Sequence, residues 1–304
     1  MLEPSSLVLD VSDIGYCAGQ ALTSASVGRV GAVYARGFYI DLAGRWLFLA
    51  SSPALGPLTA IFRPATPRGD GVCDRIEVGD AVHVDTAGIR VDRKFLFTTG
   101  AARTWSPPPP PVWTKESLVR GLRGLDHIAR EGLPGEGIGV FILGIKIPSS
   151  APREARAAAT AVAELGAWLA AALATDDLEY PPASLGSLIG LGPGLTPSGD
   201  DFLGGVLIAT HALERPGVAE RLYAAIAPRL ADLTNPISAA HLAAAADGFG
   251  SATLHMALDD ILAGRLDRLP GDLAELVAIG HASGWDALAG IALALRARLS
   301  NLQG

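Results

Sequence analysis

The chain has 304 residues, 49% of them hydrophobic, 18% charged and 6% aromatic. That length fits one large or two ordinary domains, with the packing left mostly to Ala, Leu and Val. A net charge of −7 and a pI near 5.4 exclude nucleic acid as the main partner, because phosphate-backbone contacts need a basic surface. A small anionic substrate stays open, since local dipoles and single arginines decide that.

Two cysteines, Cys17 and Cys73, show neither CxxC nor metal-ligand spacing and read as ordinary thiols in a reducing compartment. Glu3 stands where a signal peptide carries a base, and apolar stretches such as residues 202–210 are too short to cross a bilayer. A cytoplasmic protein without membrane contact is expected.

Up to about Trp105 the texture is β. Short apolar runs at residues 7–9, 30–40, 46–49, 81–84 and 95–97 sit between Gly, Pro and Asp turn signals. Runs 29–34 and 37–40 read as neighbouring strands, with turns at Gly79-Asp80 and Ala87-Gly88. Many short strands at this spacing predict a small barrel or sandwich. Five prolines at 107–111 lock φ and remove donors, so they read as a semi-rigid linker. The organisation is α+β: a β-rich domain (1–105), a proline linker (106–112) and a mainly helical domain (113–304).

The spacing of Leu118, Leu122, Leu125 and Ile128 predicts a helix over 114–130. Residues 138–147, IGVFILGIKI, read as one buried strand closed by Pro148. Helices follow over 157–174 and 218–230. Asn235-Pro236 pairs a cap residue with a proline at the first helical position, so a helix starts there and runs to Asp247-Gly248. Further helices over 251–262, 272–279 and 285–299 complete a domain of roughly six.

The stretch from Gly190 to Ile208, GLGPGLTPSGDDFLGGVLI, organises the rest. A glycine-rich loop containing Gly192, Gly194, Thr196, Ser198 and Gly199 runs into an apolar helix starting near Asp200. Thr196 and Ser198 are helix-capping residue types. The first-turn N–H groups lack intrahelical partners and, with the macrodipole, attract anions. Asp200 and Asp201 would repel an anion unless a cation or an N–H donor group intervenes. There is no lysine near the loop, so it is not a Walker-type loop.

The phrase recurs. Ser198-Gly199-Asp200-Asp201-Phe202-Leu203-Gly204-Gly205 aligns at a constant offset with Ser283-Gly284-Trp285-Asp286-Ala287-Leu288-Ala289-Gly290. Two copies predict paired helix N-termini related by a pseudo-twofold axis. Asp201 recurs as Asp286, which gives it a structural role at both ends. Asp200 is replaced by Trp285 and is left for function. As the dull alternatives, both acids complement a helix dipole and both Ser and Thr are caps. Phe202 and Trp285 read as core residues. Of the histidines, His281 stands two residues before the second Ser-Gly start and His241 three residues after Ser238. These two are the acid/base candidates, whereas His255 reads as a hydrogen-bonded core residue.

The strings GLGPGLTPSGDDFLGG, TNPISAAHLAAAADG and GHASGWDALAGI, with the N-terminal SVGRVGAVYARGFYIDL, resemble a family once catalogued as domain of unknown function 2877. That family is associated with AllH, a subunit of bacterial oxamate carbamoyltransferase. The resemblance implies interconversion of oxalurate and phosphate with oxamate and carbamoyl phosphate in allantoin catabolism. It also implies partner subunits in a hetero-complex. It assigns no metal and no catalytic residues.

On this expectation the phosphate meets N–H groups around Thr196, Ser198 and Gly199, with Gly192, Gly194, Asp201, Ser283 and Gly284 completing the pocket. Asp200 accepts from the carbamoyl NH2, and His281 or His241 moves the proton. Two rival readings remain: a non-catalytic subunit with an anion-binding loop, and a Mg2+-dependent hydrolase using Asp200 and Asp201.

Overall fold

The computed structural model describes residues 7–24, 26–51, 54–63, 71–144, 146–175, 179–279 and 282–302. The chain divides into two compact units, Met1–Pro107 and Pro108–Gly304.

In the first unit, β1 (Leu7–Gly15), β2 (Val27–Tyr34), β3 (Gly37–Leu42), β4 (Arg45–Ala50), β5 (Thr59–Phe62), β6 (Ala81–Asp85), β7 (Gly88–Val91), β8 (Phe95–Thr98) and β9 (Arg103–Trp105) form one sheet. Its order is β5-β4-β3-β2-β6-β7-β8-β1-β9, and a further pairing of β5 with β1 closes eight strands into a barrel. Closure runs through β1, whose Val11 faces Phe62 across the antiparallel seam while Leu7 pairs with Phe95 in parallel. The ninth strand adds to the far end of β1, where the Arg103 guanidinium meets Asp13 at 2.8 Å. Alternate residues fill the interior, among them Phe38, Phe62, Phe95 and Phe97, with the Phe62 and Phe97 rings 5.0 Å apart. The barrel alternative expected from the many short strands is the one observed, and β2 and β3 pair as neighbours. The sequence reading passed over α1 (Tyr16–Ser24), which carries Cys17.

The second unit is helical: α2 (Lys115–Gly132), α3 (Arg153–Ala172), α4 (Ser198–Ala212), α5 (Pro216–Ile226), α6 (Leu230–Leu233), α7 (Pro236–Ala246), α8 (Ala252–Ala263), α9 (Leu269–Ile279) and α10 (Ser283–Asn301). Several starts follow from local chemistry. Thr114 and Ser117 exchange side-chain-to-backbone bonds in a capping box, Asn235 Oδ1 accepts from the amides of Ile237 and Ser238, and Ser251 accepts from Leu254. Together α4 and α10 form the centre of the unit's apolar core, with Phe202, Leu203, Val206, Leu288, Ile291 and Leu295 fully buried.

One expected strand is not there. Residues Gly139–Leu143 form a 3-10 turn instead. In the helical unit this run packs on α10, no strand lies beside it among the described residues, and Gly137 turns the chain at φ +75°. The apolar run of Ile138, Phe141 and Ile142 is buried as anticipated. A continuous apolar stretch satisfies burial equally well in a turn or a strand, so its composition could not decide.

Candidate functional site

The N-termini of α4 and α10 meet. Thr196 Oγ1 lies 3.1 Å from Ser283 Oγ. Below the tips the two helices touch backbone to backbone at two matching places. A Cβ on Gly205 would fall 2.0 Å from the Ala287 carbonyl oxygen, and one on Gly290 would fall 1.9 Å from that of Phe202. Residues 202 and 205 of the first phrase thus exchange roles with 287 and 290 of the second. That is the pseudo-twofold pairing predicted from the repeated phrase.

The exchange extends to the polar tips. The Ser198 hydroxyl approaches Asp286, and the Ser283 hydroxyl approaches Asp201, each lowering the pKa of the carboxyl it faces. Burial outweighs both. It pushes Asp286 from the ordinary 3.8 to about 6, against hydrogen bonds from the amides of Ile138 and Gly139. Asp201 is raised well above the usual carboxylate range, first by burial and then by the neighbouring Asp286 and Asp200 charges. Asp286 Oδ1 accepts from Ile138 N–H at 2.7 Å, while Oδ2 of Asp286 and Oδ2 of Asp201 are buried without a hydrogen-bond partner.

A carboxyl whose folded pKa lies above its unfolded value binds its proton more tightly in the folded state. Asp286 therefore stabilises the fold below about pH 4, and that stabilisation is lost as pH rises through 6. Between pH 4.5 and 7.5 the loss from Asp286 is about 2 kcal/mol. Denaturant titrations at the two pH values should show Asp286→Asn gaining that amount relative to the wild type at the higher pH. An unchanged difference between the two proteins would show that Asp286 does not titrate there.

Asp200 turns away from this pair. It is 3% exposed; its Oδ1 accepts from Gly190 N–H at 2.8 Å, and its Oδ2 accepts from the hydroxyls of Thr234 and Ser238, the latter at 2.7 Å. Asn235 Nδ2 adds a bond to the Leu195 carbonyl at 3.0 Å. Asp200 thus clamps the start of the glycine-rich loop to the turn before α7. In hydrogen bonding the two acids divide opposite to expectation, since Asp200 is the one engaged by three protein donors. Sequence reasoning missed Thr234 and Gly190 as its partners. Thr234 was visible only as the residue before the Asn235 cap.

The loop differs from expectation in two respects. Pro197 occupies the cap position of α4 and Ser198 is its first helical residue, so neither Thr196 nor Ser198 caps the helix. Moreover the Gly199 amide donates to the Leu191 carbonyl at 2.9 Å, and those of Asp200 and Asp201 donate to that of Pro197. Gly199 is a packing glycine, its Cβ position 1.9 Å from the Leu188 carbonyl.

Uncommitted amides stand earlier in the loop. Among the described residues, the N–H groups of Gly192, Gly194, Leu195, Thr196 and Ser198 donate to no protein acceptor. Gly192 (φ +111°) and Gly194 (φ +89°) adopt left-handed backbone, and a Cβ on Gly194 would meet only open space. Gly194 is exposed and Gly192 half-buried.

Thr196, Ser198, Asp201, Ser283 and Asp286 are therefore brought together at the tips, beside Gly192, while Asp200 sits with α7. Gly284 is buried against Leu276. His241 lies on α7 one turn beyond Ser238, and burial lowers its pKa to about 4, so its imidazole is neutral at pH 7. His281 lies outside the described residues. His255 accepts from Gly250 N–H at 3.0 Å in the core, as expected. Phe202 and Trp285 are core residues too, at 0% and 4% exposure. No three His, Cys, Asp or Glu side chains among the described residues are grouped so as to hold a metal ion. No helix among them is long and apolar enough to cross a membrane.

No curated protein and no solved structure matches the chain. A family match does exist, and it spans both Ser-Gly helices and the Asn235 turn while leaving out the N-terminal phrase at 26–42. Through residues 188–295 the chain is similar to the family described as oxamate carbamoyltransferase subunit AllH.

Proposed function

We propose that this chain is a subunit of an oxamate-type carbamoyltransferase, acting with partner subunits, and that its glycine-rich loop holds the phosphate. The observation that carries this reading is the set of uncommitted amides from Gly192 to Ser198, lying within the AllH-like segment. Several N–H donors converging from left-handed glycines make a nest for an anion. In the reaction a phosphate oxygen forms a bond to the carbamoyl carbon of oxalurate. The bond from that carbon to the oxamate nitrogen breaks, and the nitrogen takes up the proton. Oxamate and carbamoyl phosphate result.

Asp201 is the proton donor in this scheme. Burial raises its pKa and so favours the protonated form, and the Ser283 hydroxyl beside it adjoins Thr196 in the loop. Asp200 acts on the loop rather than on substrate, because protein donors already occupy it. The Mg2+ hydrolase gains no support from the geometry, since Asp200 and Asp201 face different neighbours. The docking-subunit reading draws on the bracing by Asp200, which would equally suit a rigid contact surface.

An assay of carbamoyl phosphate formation from oxalurate and phosphate decides between transferase and docking subunit. With the complex reconstituted, Gly194→Val, which forces a branched side chain into left-handed backbone, should lower the rate at least tenfold. Full activity with normal phosphate dependence would remove the loop from the reaction.

A further inference from the structure

A cavity of about 480 Å³ opens in the helical unit between α3, the 3-10 turn and the C-terminal half of α10. Its walls are apolar, formed by Phe141, Ala170, Leu293 and Ala297, and its polar groups include two cations, Arg296 and Lys146. Arg296 spends one nitrogen on the protein: Nη2 donates to Asp126 Oδ1 and to the Ile142 carbonyl. Its Nε is buried with no hydrogen-bond partner, and among the described residues Nη1 has none either. Nε is shut away from the cavity, whereas Nη1 is not among the fully buried atoms and is the donor that a bound anion could reach. Asp126 offsets one positive charge, and among the described residues no acidic one lines the cavity, so Lys146 leaves it net positive.

We infer that this cavity binds a small monocarboxylate with an apolar body. Its volume lies in the range of small-molecule sites. The apolar walls disfavour a phosphate dianion, whose desolvation costs more than that of a single carboxylate. The cations repel an amine. The site is separate from the glycine-rich loop, because Leu293 stands ten residues along α10 from Ser283, about 15 Å at the helical rise. It does not rest on the carbamoyltransferase reading.

Calorimetric titration of the full chain with octanoate tests it, with octylamine as the charge-reversed control. Octanoate should bind one to one and octylamine should not. Lys146→Gln, at an exposed position, should weaken octanoate binding about threefold or more. Ala170→Leu should fill the cavity and abolish binding while leaving the thermal midpoint in place. Failure of octanoate to bind the wild type, which a cavity filled by a partner subunit's side chain would also produce, overturns the inference. Equal binding of octylamine, or undiminished binding by both variants, overturns it as well.

Discussion

Gly290→Ala is expected to destabilise the helical unit by about 3 kcal/mol, at the upper end for an overpacked core. The added methyl carbon would stand 1.9 Å from the Phe202 carbonyl oxygen and 2.9 Å from the Val206 amide nitrogen. Both atoms belong to the backbone of α4, so no side chain can rotate out of the way. The helices must separate, and they share the largest part of the core. Alanine's better helix propensity, about 1 kcal/mol over glycine, opposes this and is too small to win. Gly205→Ala should behave alike, since its methyl would meet the Ala287 carbonyl at 2.0 Å. Gly204→Ala supplies the control: on the same helix its nearest neighbour is Ala245 Cβ at 3.8 Å, an ordinary contact. Urea unfolding followed by helical circular dichroism reads all three. A loss below about 0.5 kcal/mol in Gly290→Ala would mean the helices are not held this closely.

Asp200→Ala should cost a similar amount, on the order of 3–4 kcal/mol, by a different route. It strands the Gly190 amide and the Thr234 and Ser238 hydroxyls around a buried void. Asp200→Asn should cost about half as much, because its oxygen can still accept from Gly190 while the two hydroxyls rotate to accept from the new NH2. Since Gly190 begins the loop, phosphate affinity should fall in the same order as stability. A fully stable Asp200→Ala protein would show that the clamp is dispensable. Loss of transfer in Asp200→Asn with stability and phosphate affinity intact would return Asp200 to the substrate.

What could be read from the sequence was chemistry acting over three or four residues. Asn235 and Ser251 announce helices because their oxygens accept from amides two or three positions on. The repeated Ser-Gly phrase revealed the α4–α10 pairing because close helix approach demands glycine at matched positions in both copies. What escaped depends on chain segments meeting from afar. Which of two adjacent acids is braced was settled by Thr234 and Ser238 arriving from another turn. The fate of the first-turn amides was settled by the Leu191 and Pro197 carbonyls folding back onto them. Residues 138–143 wear a strand's composition, but the described residues of the helical unit offer them no partner strand.

The central claim, that the glycine-rich loop is an anion seat, is most directly tested by titrating isotope-labelled full-length protein with inorganic phosphate and following its backbone amide resonances. The N–H signals of Gly192, Gly194, Leu195, Thr196 and Ser198 should shift together with one saturation curve, while Gly199, already bonded to Leu191, moves little. Phosphate that leaves those five signals in place would contradict the claim, whatever it does elsewhere on the protein.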